Sequence, residues 1–567
     1  MMHLIPDVKH QENRNGILGK KAINYNKTGY DKRILQALAK LPYDDNGTCL
    51  EIEIEDGNGE AYELQIDKDN ILIKANGLAG AFYAIQTLRQ IFKHDEVPCL
   101  YIKDEPDFKY RGFYHDVTRG KIPTVDTLKH LIDEMAYYKL NSLQLYVEHT
   151  YEFEETKELI KKTGYLSKEE LLELEEYCQD HFVEFIPSLS TFGHLYELLE
   201  QEQYQHLRIV KEFEKKCNFW RARMEHHTID PLNPESIEVI QSLIDQYYPM
   251  FESEYFNICC DETFDLKCYP TECMDEARLY IDFVKKIIEH VESKNKKVMM
   301  WADILLEHPE TIEELSNDIC FLNWNYDAEP SEEKIKYLAK KGKKQIVCPG
   351  TTTWNRLCEN VEVEESNISL MAEYGYKHGA IGVLNTNWGD WGNPCCIELA
   401  MYGLVLGAAK SWNVQTKIGD EFYESVNQLL YGKENAVQCL KEISEMHENI
   451  GWVYFCKKYF TNRYGKKANM KPWNITKLQK VQNTYSDLKN RLEREKWDSD
   501  EYRQEMLLAA EGICVMAELY AKLEGIAVTR MTNTEEWLKK YRTKWMQKNK
   551  ESELCNIEEL FRYCEAQ

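Results

Sequence analysis

The amino-acid sequence predicts an α/β protein: a (β/α)8 barrel, preceded by a small α+β domain and followed by a helical C-terminal region. Three observations carry this. After Asp107, eight strand-like runs begin near Tyr110, Ser142, Val183, Tyr255, Lys297, Ile319, Gln345 and Ile381, each followed by a helical pattern or a long loop. A parallel strand needs a crossover before the next one, so alternation sustained over roughly 300 residues fits a closed barrel. Before Asp107 the pattern is instead short strands with one helix, and beyond Thr416 it is charged amphipathic helix with almost no strand signal. The expected domains are therefore 1–106, 107–415 and 416–567.

In the first domain, residues 50–55 alternate apolar and acidic at period two, Asp56-Gly57-Asn58-Gly59 supplies a turn, and 61–66 and 71–74 continue as strands. Residues 77–92 have helical length and spacing. In the barrel, helical patterns cover 128–138, 168–178, 237–247 and 280–291. The C-terminal helices could cover the barrel, form the surface of a homodimer or lean over the barrel mouth, and all three options stay open at this level.

Composition narrows the function. The chain has 567 residues, 43% of them apolar, 12% aromatic and 29% charged, which describes folded globular material. A formal net charge of -26 repels nucleic-acid backbones and anionic membrane surfaces. One basic run, residues 539–550, is interleaved with Trp537, Tyr541 and Trp545. Those rings recur at i, i+4 and i+8, the signature of a packed helix with a solvated basic flank. No apolar stretch approaches the ~20 residues of a membrane span. The opening residues carry no hydrophobic leader or cleavage pattern, so the expected location is cytoplasmic. Eighteen cysteines without a compact framework fit reduced, buried thiols.

The working residues of such a barrel lie at the C-terminal ends of its strands. Collected there are Arg111 and Asp116, Tyr146 and Glu148, His194, Asp261 and Glu262, Trp301 and Asp303, Trp324 and Tyr326, Trp354, and Trp388 and Asp390. Tryptophan stands at four of the eight ends. Indole faces cover the apolar C–H faces of a pyranose, while carboxylates and Arg satisfy its hydroxyls, so the set points to a carbohydrate. Asp261-Glu262 closes the apolar run from Tyr255 to Cys260. Repulsion and desolvation there should lift at least one carboxyl from an unperturbed value of about 4 toward neutrality, where it can protonate a leaving glycosidic oxygen. His226-His227, Asp261, Asp265, Cys268 and Cys273 match no established metal spacing, so no metal and no cofactor is expected. Vicinal Cys259-Cys260 and Cys395-Cys396 read as small buried residues.

The stretch Glu105-Pro106-Asp107-Phe108-Lys109-Tyr110-Arg111-Gly112, with Asp116, Arg119 and then Tyr138-Lys139-Leu140-Asn141, resembles the barrel entry of the glycoside hydrolase family 20 β-N-acetylhexosaminidases. Residues 71–103, containing Gly80-Ala81-Phe82-Tyr83, are similar to the end of the small domain that precedes that barrel. Ile186-Pro187, Gly193-His194, Asp261-Glu262, Trp301 and Trp388 to Asp390 follow in the family's order, and the resemblance spans roughly residues 50–415. It implies a retaining glycosidase that removes terminal β-linked N-acetylhexosamine, GlcNAc or GalNAc, from a small oligosaccharide or glycoconjugate. Catalysis is then substrate-assisted: the 2-acetamido oxygen attacks the anomeric carbon and an oxazolinium forms. By the same resemblance Glu262 is the general acid and base, Asp261 holds the acetamido N–H, and His194 supports Glu262. Arg111 and Asp390 bind hydroxyls, and Trp301, Trp324 and Trp388 wall the acetamido pocket and the sugar face; Trp354 is a further substrate-binding candidate from its place at a strand end alone.

The sequence departs from the family pattern at Asn257-Ile258-Cys259-Cys260 before the acid pair, at Gln144-Leu145-Tyr146 and Glu148-His149, and at Trp354-Asn355-Arg356, where a tyrosine donor to the acetamido oxygen is expected. Tyr326 could take that donor's place, or the donor could be absent. Two rival functions remain: a glycan-binding barrel without catalysis, and a glycosidase of non-acetylated sugars with Asp303 or Glu148 as nucleophile.

Overall fold

The computed structural model describes residues 4–211, 220, 223, 226–269, 275–464, 474–494 and 497–567. The N-terminal unit is a six-stranded sheet of β1 (His10–Ile17), β2 (Ile23–Asn24), β3 (Thr48–Ile54), β4 (Asn58–Ile66), β5 (Asn70–Gly77) and β6 (Pro98–Asp104), in the order β1-β6-β4-β5-β3-β2. Alternation explains its layers. Leu50, Ile52, Leu64, Ile66, Ile71, Ile73, Leu100 and Ile102 form one buried face against the helix Leu78–Ile91, while Glu51 and Glu53 stay outside. Strands β1, β2 and β6 are not legible in the sequence pattern: β1 alternates no apolar side chains and β2 is two residues long.

Eight parallel strands close the barrel: β7 (Tyr110–Asp116), β8 (Ser142–Val147), β9 (Glu184–Leu189), β10 (Tyr255–Asn257), β11 (Lys297–Trp301), β12 (Cys320–Trp324), β13 (Lys344–Cys348) and β14 (Gly382–Asn387). Closure is made where β14 pairs with β7, Gly382 opposite Tyr110 through Asn387 opposite His115. Each strand starts within one residue of its predicted position. The lumen is a packed core of Tyr110, Tyr114, Ile186, Tyr255, Met299, Leu322, Ile346 and Leu384. The crossover helices begin with legible caps: Thr124 before Val125–Tyr137, a capping box of Ser167 and Glu170 before Lys168–Asp180, Asn233 with Pro234 at the first position of Pro234–Tyr247, and Asp275 before Glu276–Ser293.

The C-terminal helices include Ala436–Glu448, Trp452–Tyr464, Ile475–Arg494, Asp500–Leu523, Thr534–Lys548 and Leu554–Ala566, and their apolar faces are continuous with the barrel core. They lean on the loops of the barrel mouth. Lys550 N–H donates to Ile122 C=O (2.8 Å) and Thr124 N–H to Lys548 C=O (2.9 Å). Trp452 Nε1 donates to Trp391 C=O (2.9 Å), Tyr541 hydroxyl to Pro394 C=O (2.9 Å), and Arg356 Nη2 to Ser444 C=O (3.0 Å). Trp537, Tyr541 and Trp545 are buried as their spacing predicts, and Lys540 and Arg542 of the basic run pair with Glu511 and Glu558. Among the described residues, no helix is long and apolar enough to cross a membrane.

Candidate active site

Strand β10 stops at Asn257, and the chain then turns sharply. Cys259 (φ 56°), Cys260 (φ 66°) and Glu262 (φ 48°) all occupy the left-handed region, as does His194 (φ 57°) on the facing loop after β9. Such conformations cost about 1–3 kcal/mol each for non-glycine residues and persist only when neighbours enforce them. The enforcing bonds are present. Asn257 Oδ1 accepts from Cys259 N–H (2.9 Å), and Thr191 hydroxyl donates to Ile258 C=O (2.6 Å). Trp301 N–H donates to Cys259 C=O (3.0 Å), and Tyr280 hydroxyl to Cys260 C=O (2.8 Å). Glu262 N–H donates to Asp303 Oδ2 (3.1 Å). The vicinal thiols are buried, and burial pushes that of Cys259 up to about 12, so they act as small packing groups.

This turn delivers the acid pair to one imidazole. His194 Nε2 lies 3.3 Å from Asp261 Oδ2 and 3.3 Å from Glu262 Oε2. Asp261 is buried, whereas 29% of the Glu262 side chain is exposed, so Glu262 is the carboxyl that faces the opening. Burial opposes a charge on His194, but the carboxylate of Asp261 outweighs it, helped by the close approach of both acids, and the imidazole is pushed up to about 10. His227 stacks on it with centroids 4.4 Å apart, and its Nδ1 accepts the His194 backbone N–H (2.7 Å). Burial, then the charge of His194, drive His227 well below its ordinary value, so that ring is neutral. The carboxyl lifted to about 7 is Asp303, through burial and then the charge of Asp261.

The aromatic residues predicted at the strand ends come together. Trp301 and Trp388 lie 5.7 Å apart, with Tyr114 and Tyr146 packed beneath them. Trp324 stacks on Tyr326 (5.2 Å, 14°), Tyr326 meets Trp354 at 4.9 Å, and Trp388 Nε1 donates to Tyr326 Oη (2.7 Å). Beside them Arg119 is buried over Tyr146 and Trp388, bonded to Asp390 and, through Nε, to Glu148 Oε1 (3.2 Å), which also accepts the Tyr146 hydroxyl (2.9 Å). Asp116 pins this corner, accepting from Thr118, Arg119 and Gly389 N–H groups.

Arg111 is placed elsewhere, and its expected role in sugar binding is corrected. It is the second residue of β7, at the N-terminal end of the barrel. There it is fully buried, bonded to Glu60 of the N-terminal sheet (Nη1–Oε2 2.7 Å) and to Phe108 and Lys139 carbonyls, and laid over Trp412. The cation at the mouth is Arg119, three residues past the end of the same strand. The rule that barrel sites lie at C-terminal strand ends was the signal that separates the two. Other candidates are occupied structurally: Asp265 accepts from Thr228 N–H (3.0 Å) and pairs with His226 (2.9 Å), Cys268 is exposed, and Cys273 lies outside the described residues. Among the described residues, the one cluster with metal-ligand geometry is His194, Asp261 and Glu262 itself.

Comparison with known proteins agrees with this geometry. The model of the glycosyl hydrolase family 20 catalytic domain matches residues 108–375, and that of family 20 domain 2 matches residues 7–105. A beta-hexosaminidase of Porphyromonas gingivalis is 27% identical over 286 residues, 43% of this chain and 36% of the relative. One of Emericella nidulans is 25% identical over 327 residues, 52% and 53% of the two chains. The chain thus spans about a third to a half of the length of these curated relatives. Among solved structures, the exo-β-N-acetylglucosaminidase of Vibrio harveyi in complex with N-acetylglucosamine superposes with a TM-score of 0.58 at 18% identity, over 74% of this chain and 75% of that one. A chitobiase of Flavobacterium johnsoniae does so with a TM-score of 0.60 at 17% identity, over 98% and 99%. With both family models aligned in order along the N-terminal sheet and the barrel, the chain belongs to glycoside hydrolase family 20.

Proposed function

We infer that this protein is a retaining exo-β-N-acetylhexosaminidase working by substrate assistance. The observation that carries the reading is the sharing of one imidazole by Asp261 and Glu262, with Glu262 turned to the opening of an aromatic-walled barrel mouth. Glu262 protonates the glycosidic oxygen as the substrate's own acetamido oxygen attacks C1. The C1–O bond to the leaving group breaks, and an oxazolinium forms. Because nucleophile and electrophile belong to one molecule, much of the entropy of bringing them together is already spent. Glu262, now ionised, takes a proton from water as that water attacks C1 and reopens the ring.

Asp261, charged beside cationic His194, is suited to hold the acetamido N–H as its nitrogen gains positive charge. Tyr326, its hydroxyl fixed by Trp388 and near enough to Asp261 to feel its charge, is the candidate donor to the acetamido oxygen. Arg119 and Asp390 form the polar clamp for outer hydroxyls, and Trp301, Trp324 and Trp388 wall the ring. No disulfide joins the described cysteines, which fits a reducing compartment and substrates met in the cytoplasm.

The test is a substrate panel. Aryl β-N-acetylglucosaminide or galactosaminide should be cleaved and plain aryl β-glucoside or β-galactoside left intact, with a thiazoline mimic of the oxazoline inhibiting competitively. Equal turnover of the plain glycosides would reject the assisted mechanism. Binding without turnover would favour a glycan-binding barrel.

A further inference from the structure

Glu262 stands in the left-handed region (φ 48°), so the direction of its Cβ, and with it of its carboxyl, is set by a backbone that a glutamate does not adopt unaided. The bonds that hold Ile258, Cys259 and Cys260 act upstream of it. At the Glu262 peptide itself two bonds act. Its C=O accepts from Phe264 N–H (2.7 Å), but Phe264 is 42% exposed and closes only a local turn. Its N–H donates to Asp303 Oδ2 (3.1 Å), a group 41 residues further along the chain, on the next strand end of the barrel.

Asp303 is a rigid anchor for that N–H. It is buried and opens the short helix Asp303–Glu307, two residues after Trp301 closes β11. Trp301 N–H donates to Cys259 C=O (3.0 Å) and Ala302 N–H to Leu322 C=O (3.0 Å), so the segment is tied to the acid turn on one side and to β12 on the other. The second oxygen of Asp303, Oδ1, is buried and has no hydrogen-bond partner, and the carboxyl feels the charges of Asp261 and Glu262. Burying an acid beside two others lowers stability, and the bond it makes there is to the peptide of the residue read as the general acid.

We propose that Asp303 is a positioning residue for the hydrolysis: by accepting the Glu262 N–H it fixes the heading of the acid's carboxyl, and it acts on the reaction only through Glu262. The inference rests on the hexosaminidase reading. It gives Asp303 a part different from that of the nucleophile in the rival glycosidase, because Oδ1 is enclosed and Oδ2 is held by the N–H.

The experiment follows kcat/KM, which covers the steps up to cleavage of the glycosidic bond, on phenyl and on dinitrophenyl β-N-acetylglucosaminide. Phenolate is a poor leaving group that depends on protonation, and dinitrophenolate departs with little help. Asp303→Ala should lose about 30- to 100-fold on the phenyl substrate, as for a displacement of about 1 Å, and stay within about threefold on the dinitrophenyl one. Asp303→Leu, which fills the vacated volume, should behave alike. Asp303→Asn, whose amide oxygen still accepts the N–H, should rescue the phenyl substrate to within about threefold of the wild type. In a Glu262→Gln background, Asp303→Ala should cost less than about twofold more. Both substrates are cleaved by the same folded molecules, so the ratio between them is independent of any loss of folded protein. Equal losses on the two substrates, no loss on the phenyl substrate, or an additive loss in the Glu262→Gln background would each overturn the positioning role. An asparagine variant inactive on both substrates would overturn it in favour of a nucleophile. Failure of the wild-type chain on both substrates is a separate result, counting against the hexosaminidase reading itself.

Discussion

A Cβ placed on Gly193 would stand 2.4 Å from the backbone carbonyl oxygen of Asp261. The loop carrying His194 and the turn carrying the acid pair are therefore in backbone contact, and this contact sets the 3.3 Å spacing of His194 from both carboxyls. Gly193→Ala must push the two apart. Displacements of about 1 Å can cost on the order of 100-fold in rate, so kcat should fall by about that factor while the fold persists. An alanine variant of unchanged kcat would show that the contact does not set the geometry.

Glu262→Gln retains the shape of the side chain and removes its proton chemistry. A general acid contributes about 10²–10⁴-fold, and kcat on an aryl N-acetylhexosaminide should drop in that range. Asp261→Asn should also be strongly impaired, because the cationic nitrogen loses its counter-charge. Azide rescue of Glu262→Gln to a glycosyl azide of retained anomeric configuration is the diagnostic product. Full activity of either variant on acetamido substrates would remove the pair from the mechanism.

The arginines at the two ends of β7, Arg111 as its second residue and Arg119 just past its last, should separate cleanly. Arg119→Lys disturbs the bonds to Asp390 and Glu148 at the mouth, so KM should rise and kcat/KM fall, with a modest change in Tm. Arg111→Ala leaves Glu60 uncompensated at the interface of sheet and barrel. Breaking a buried pair costs about 3–5 kcal/mol, so stability should fall with KM little changed. Urea denaturation and Michaelis kinetics on the same preparations decide. An Arg111 variant with raised KM and unaltered stability would restore the arginine to the sugar site.

Asp303 predicts a pH dependence of stability. Its carboxyl has an ordinary value of 3.8 but is held at about 7 in the folded state, by burial first and the Asp261 charge second. Between those values the native protein binds more protons at this site than the unfolded chain, so its contribution to stability falls as pH rises through that window. Asp303→Asn can still accept the Glu262 N–H and cannot ionise. Unfolding free energies at pH 4.5 and pH 8 should show the variant gaining on the wild type as pH rises. A difference constant across that interval would contradict the assignment.

His194 runs the same way at higher pH. Its folded-state value near 10 exceeds the ordinary 6.5, so the stability it adds is complete below about 6.5 and is lost as pH climbs to 10. His194→Gln should flatten the alkaline limb of a Tm-versus-pH curve. Parallel curves for variant and wild type would mean that the imidazole carries no charge at neutral pH.

Much of this molecule was legible in one dimension. Period-two and 3.6-residue patterns report which side of a segment is buried, so the eight barrel strands, the helix at Leu78–Ile91 and the C-terminal Thr534–Lys548 helix could be placed from spacing alone. Asp261-Glu262 and the tryptophans were legible because they end apolar runs, where a parallel barrel must expose its polar groups. Tertiary structure decided what spacing does not encode. It assigned Arg119 to the mouth and Arg111 to the base of the barrel, because distance along a strand becomes height in the barrel only once the register is set. It brought Gly193, His194 and His227 against the acid pair from loops far apart in the chain. It also laid the C-terminal helices against the loops of the mouth, since amphipathic helices declare an apolar face but not the surface that will cover it.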